Sequence, residues 1–368
     1  MLHCNSHEPG PLQQLAALAL IVSVFVYTRD LVHNPGPVVG ALIFYLEIFR
    51  VPLLFFIGGM MAVRALSGRS TSAYFNGLIG RLLLSLAFGA TLLLGFELGT
   101  LIGAEHDAYA GTSFAHLWLV FYLLLLSMVA AVAWRTPVLQ RAGARLAKIA
   151  VRPGGILLLA IPVGIVFFLR PGWGGFTPLH SALLPDFPLF LACSWYFAIG
   201  LVAGRKDTVL DRFHMRWRIK LIVTAIFTAM IYSAHDRLGS MPQTPELLGG
   251  PRRALYYLSY AFLSWRWIIA LTGLFRARFT EPSPVRFYLA GAAWWIYIIH
   301  IPVILFTQSW MSAITRPVSA QYFLVVATTL ALCFAGYELA VRHTPLRRWL
   351  GAESPWENGS QPQTGEPA

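Results

Sequence analysis

The sequence predicts an all-α polytopic membrane bundle of about ten transmembrane helices. Three observations carry this. First, 57% of the 368 residues are hydrophobic and only 12% are charged, too little charge to cover a soluble domain. Second, the apolar residues form blocks of roughly 17–25, the length that crosses a bilayer as helix. Third, the arginines and lysines cluster in the short stretches between blocks, the signature of membrane topology. Helix is required because backbone groups in hydrocarbon must pair within their own segment, and no alternating strands of about ten residues suggest a barrel.

In chain order the blocks predict spans near 12–28, 38–63, 82–103, 116–134, 154–169, 187–204, 219–236, 254–275, 287–312 and 321–341. No basic residue precedes the first block and no small-residue cleavage site follows it, so it reads as a retained helix. The second and ninth spans are long enough to tilt or bend, and each holds a proline, Pro52 and Pro302. Residues 1–351 read as one membrane domain, and the polar, Gly/Pro-rich 352–368 as a disordered cytoplasmic tail. Of the 28 basic residues, 20 fall in loops on the side of the termini and six on the other, which predicts cytoplasmic termini. The same distribution argues against nucleic acid as the partner of the +12 net charge. Cys4, Cys193 and Cys333 fit no metal spacing and read as small core residues.

Ionisable groups at membrane depth cost several kcal/mol unless paired or wet, so each is a functional candidate. Glu47 and Arg50 lie three residues apart on the second span and read either as a structural pair or as a substrate-binding arginine with its neighbour. Arg266 stands between two tryptophans in LSWRWII, placed to bind an anion or to anchor a helix. Trp294, Tyr297 and His300 recur every three residues and share one helical stripe, with His300 a candidate acid–base or a structural histidine. His116 opens the fourth span after a loop containing Glu105, His106 and Asp107, and Glu338 stands four residues before Arg342, its expected partner. Nucleophile-elbow, paired-cysteine, zinc and phosphate-loop motifs are missing from the sequence, so no metal is expected. These residues alone leave a transporter and an intramembrane enzyme both open.

Four segments, in order, resemble the acyltransferase 3 family of membrane transferases, nearest its branch that succinylates osmoregulated periplasmic glucans. They are FRVPLLFFIGGM from Phe49, HLWLVFYLL from His116, IYIIHIPV from Ile296 and GYELAVRHTPLRRWLG from Gly336. The resemblance implies a bacterial inner-membrane enzyme with no bound cofactor. It would take an acyl group from acyl-CoA and pass it to a hydroxyl of an envelope glycan. Such chemistry needs a base for the hydroxyl and donors for the oxyanion. His300, His116 and Arg50 are the catalytic candidates, and Glu47, Arg266, Tyr27, Trp294 and Tyr297 the substrate-binding ones. The chain departs from the family in its first helix, where the family's arginine and histidine correspond to Ala16 and Tyr27, and Gln13 stands where an aspartate is common. A further family arginine corresponds to Leu78. A catalytically silent homologue serving as a binding or assembly subunit, and a transporter or flippase, are the alternatives.

Overall fold

All ten apolar blocks are helical in the computed structural model, which describes residues 10–31, 36–68, 70–102, 116–133, 136–150, 152, 154–170, 175–178, 185–205, 207–237, 250–281, 283–311 and 317–347. The expected tail at 352–368, the loop at 104–115 with Glu105, His106 and Asp107, and Cys4 and His33 lie outside these residues. The helices are α1 (Pro11–Ile21), α2 (Ser23–Leu31), α3 (Pro37–Gly68), α4 (Thr71–Leu78), α5 (Leu84–Ile102), α6 (Trp118–Ala133) and α7 (Pro137–Ala150). They continue with α8 (Gly155–Leu169), α9 (Phe187–Arg205), α10 (Asp207–His214), α11 (Trp217–Arg237), α12 (Gly250–Arg278), α13 (Pro284–Met311) and α14 (Val318–Gly336). Two segments, Ile79–Leu83 and Tyr337–Arg342, are π-helical.

Six helical stretches among the described residues are long and apolar enough to cross a membrane: Pro11–Arg29, Pro37–Ser67, Phe187–Arg205, Gly250–Arg278, Pro284–Met311 and Val318–Arg342. A seventh arises if α7 and α8 form one bent span, and Leu84–Gly95 and Trp118–Val132 are shorter apolar helices. The protein is therefore a multi-pass helical membrane protein. Three stretches expected as loops, α4, α7 and α10, are helical instead. In α7, Arg141, Arg145 and Lys148 fall at i, i+4 and i+7, on one face, while Ala147 and Ala150 are buried. In α10, Val209, Leu210 and Phe213 are buried and the helix packs on α12. Such short amphipathic helices suit a bilayer interface and escape a search for long apolar blocks.

Helix α3 is the hub, in contact with α9, α12, α1 and α6. Its packing on α9 is backbone to backbone. A Cβ on Gly59 would lie 2.1 Å from the Phe197 carbonyl oxygen, and one on Gly200 would lie 2.0 Å from that of Phe56. Gly204, one turn beyond Gly200, meets Met60 in the same way. Small residues at this spacing let membrane helices approach closely, where dispersion replaces the missing hydrophobic drive. Helices α1 and α2 lie against α13, which also packs on α14 and α5. This arrangement brings α2, α3, α13 and the start of α6 around one point.

Candidate functional site

That point is fixed by a defect in α13. Pro302 has no N–H, so the carbonyl of Ile298, four residues earlier, loses its intrahelical donor. His116 supplies one: its Nε2 lies 3.0 Å from Ile298 O. The reciprocal bond comes from α13. The α6 hydrogen-bond ladder begins with the carbonyl of Leu117, accepting from Phe121 N, which leaves the His116 carbonyl outside it. The hydroxyl of Tyr297 donates to that carbonyl. His116 is thus clamped to α13 through its side chain and its main chain, and it is fully buried.

His300 sits one turn along the same face, also fully buried, with Nδ1 2.7 Å from Tyr297 O. A carbonyl can only accept, so these partners assign both tautomers: His300 carries its proton on Nδ1, and His116 on Nε2. The remaining nitrogens, Nε2 of His300 and Nδ1 of His116, have no hydrogen-bond partner. Each imidazole therefore keeps a bare lone pair. Their ring centroids are 4.6 Å apart, edge to face.

Tyr27 and Arg50 close the group. The Tyr27 ring lies 5.2 Å from His300 and 6.1 Å from His116. It is held by α2, which the Tyr322 hydroxyl of α14 fastens through a 2.7 Å bond to Phe25 O. Arg50 of α3 lays its guanidinium over that ring, Cζ to centroid 5.1 Å, and is only 2% exposed. Its Nε and Nη1 have no hydrogen-bond partner, and its charge acts on both imidazoles. Trp294 extends the stripe, stacked 6.2 Å from Tyr297, with its indole N–H 2.9 Å from Ser85 Oγ of α5. Arg50, His116, His300, Tyr27, Tyr297 and Trp294 therefore converge, from segments up to 273 residues apart in the chain.

Two residues fall elsewhere. Glu47 forms an ion pair that crosses to Arg29 of α2 at 3.9 Å, both side chains partly exposed. The first helical stretch continues to Leu31, which brings Arg29 within it rather than beyond the span. Arg266 is half-buried, and the tryptophans beside it do not stack on it. Trp265 donates to Leu159 O at 3.1 Å and Trp267 to Thr228 Oγ1 at 2.9 Å, each binding α12 to a neighbour. Glu338 pairs with Arg342 at 2.8 Å. Ser85 was not singled out in the sequence, although a lone hydroxyl within LLLSLAFGA is a signal of a buried polar contact. Among the described residues no three histidine, cysteine or acidic side chains are grouped to hold a metal.

A multi-pass helical protein with basic nitrogens and a cation gathered at one buried point is the class these features define. The chain matches the family model of the acyltransferase 3 acyltransferase domain over residues 15–338, and it belongs to that family. No curated protein and no solved structure matches it.

Proposed function

We propose that the chain is an O-acyltransferase of the bacterial inner membrane that moves an acetyl or succinyl group from acyl-CoA to a hydroxyl of an envelope glycan. In this reading about ten helices cross the bilayer with both termini cytoplasmic, supported by the basic-residue bias, and the chain falls in the branch that succinylates periplasmic glucans. One observation carries the proposal: the bare Nε2 of His300 shares a buried cluster with the open N–H groups of Arg50.

His300 Nε2 takes the proton of the acceptor hydroxyl as that oxygen attacks the thioester carbonyl. The new C–O bond forms and Arg50 N–H groups receive the oxyanion, which low dielectric makes a strong interaction. Collapse breaks the C–S bond, and the imidazolium returns its proton to the departing thiolate. Nothing in this sequence needs a group that the chain and the two substrates lack. His116 keeps the second lone pair within the same cluster and fixes α13, while Tyr27 and Trp294 flank the acceptor. The decisive experiment incubates purified protein in nanodiscs with labelled acetyl- or succinyl-CoA and envelope glucan. Ester-linked label on the glucan that disappears in His300→Ala is expected; no transfer from either donor by the wild type sinks the reading.

A second reading, a silent homologue acting as a binding or assembly subunit, draws on Tyr27. Its ring stands against both imidazoles, where a phenol, which holds its proton near neutral pH, is a poor general base. If Ala16→Arg with Tyr27→His creates transfer in a wild-type protein that has none, this second reading replaces the first.

A further inference from the structure

A cavity lies at the start of α13, apart from the histidine cluster. It has a volume of about 440 Å³ and is walled by Ser283, Phe287 and Tyr288 at the start of α13 and by Tyr337, Arg342 and Arg347 beyond α14. Tyr288 is 12 residues from His300, which separates the two sites by about 18 Å along the helix axis. The wall from α14 is π-helical, Tyr337–Arg342, and this wider turn is what brings Tyr337 and Arg342 onto one side. Single π-helical turns recur at functional sites because they trade helix geometry for side-chain placement.

The chemistry of the lining is specific. Arg342 lies over the Tyr288 ring, 5.5 Å from its centroid, and is bonded by Glu338 at 2.8 and 3.1 Å. His343 also lies 3.6 Å from Glu338. Arg347 has no ion-pair partner among the described residues. The Glu338 carboxylate meets Arg342 and not Arg347, so among the described lining residues the cavity keeps a net positive charge. Arg286 adds a further charge two residues before Tyr288 on α13, its guanidinium over the Phe279 ring. Arginine forks match phosphate oxygens, and three aromatic rings offer faces for a ring or an apolar chain.

We infer that this cavity binds a phosphate ester, with the arginines taking the phosphate and the aromatic wall its organic part. Two sources carry that chemistry at a membrane surface: a nucleotide-bearing ligand and an anionic phospholipid headgroup. The inference stands on the cavity alone and does not depend on acyl transfer.

The test uses full-length protein in nanodiscs, with two probes. Coenzyme A is titrated against nanodiscs of zwitterionic lipid. Phosphatidylglycerol retention is measured by native mass spectrometry from mixed-lipid nanodiscs. Wild type should bind one probe with affinity that falls as salt rises. Arg347→Gln should weaken that binding about tenfold, the loss of one charge-assisted contact, and Arg347→Lys should restore most of it. Loss confined to coenzyme A identifies a nucleotide site, and loss confined to phosphatidylglycerol a lipid site. Arg347 is exposed, so its substitution leaves the fold intact. The inference is overturned if wild type binds neither probe, or if Arg347→Gln with Arg342→Gln binds both as wild type does.

Discussion

Two buried arginines show how one residue type takes opposite parts in this protein. Arg170, at the end of α8, is 4% exposed and uses both terminal nitrogens. Its Nη1 donates to Gly175 O at 2.9 Å, and its Nη2 to Thr177 O at 2.7 Å and to Asp186 Oδ2 at 2.5 Å. Asp186 in turn receives Leu189 N at 3.2 Å and so caps the start of α9. The loop between two helices is tied by one charge. Arg50 is buried to the same degree, yet its Nε and Nη1 meet no acceptor and its guanidinium lies over the Tyr27 ring. Burying an unpaired charge is expensive. Where the chain itself supplies the counter-charge, the group is structural; where the donors stay open, the compensation is left to a ligand.

The sharpest test of that contrast lies in the cluster. His300→Ala should lower acyl transfer by about 10²–10⁴, the usual worth of a general base, while gel filtration and membrane insertion remain unchanged. Transfer at the wild-type rate would show that the bare nitrogen is idle. Arg170→Gln should instead destabilise the protein by about 3–5 kcal/mol in detergent unfolding, because Asp186 is left without its partner. The folded fraction should keep its activity. Arg50→Gln should do the reverse: transfer falls by about 10²–10³, and stability holds or rises as an uncompensated charge leaves the interior. If Arg50→Gln unfolds the protein and Arg170→Gln silences it, the comparison fails.

Smaller effects refine the picture. Pro302→Ala returns an N–H to α13 that competes for the Ile298 carbonyl, and should slow transfer about five- to tenfold by loosening His116. In a His116→Ala background the same substitution should add nothing, since the contested bond is already gone. Glu47→Gln should change stability by less than about 1 kcal/mol, because its 3.9 Å pair with Arg29 is partly exposed.

Much of this was legible beforehand. The helical membrane class followed from apolar block length, and all ten blocks are helical, although length and apolarity single out six or seven as membrane spans. The Trp294–Tyr297–His300 stripe followed from helical periodicity, and its three side chains do share a face. Glu47 and Arg50 share a helix in the same way, but the ion pair of Glu47 with Arg29 crosses to another helix, which spacing along one helix does not show. Amphipathic α7 and α10 were read as loops because a search for membrane-length blocks passes over short helices.

The sequence by itself determined what each helix is and which residues it carries on each face, since these follow from local hydrogen bonding and a 3.6-residue repeat. It also set the one local defect that matters, the missing N–H at Pro302. Only the tertiary structure decided that His116, 182 residues from Ile298, fills that defect, which histidine nitrogen stays bare, and that Arg170 meets Asp186. Those outcomes depend on which helices become neighbours, and neighbour choice is set by close packing across the bundle, such as the glycine contacts of α3 and α9, rather than by any period within one helix.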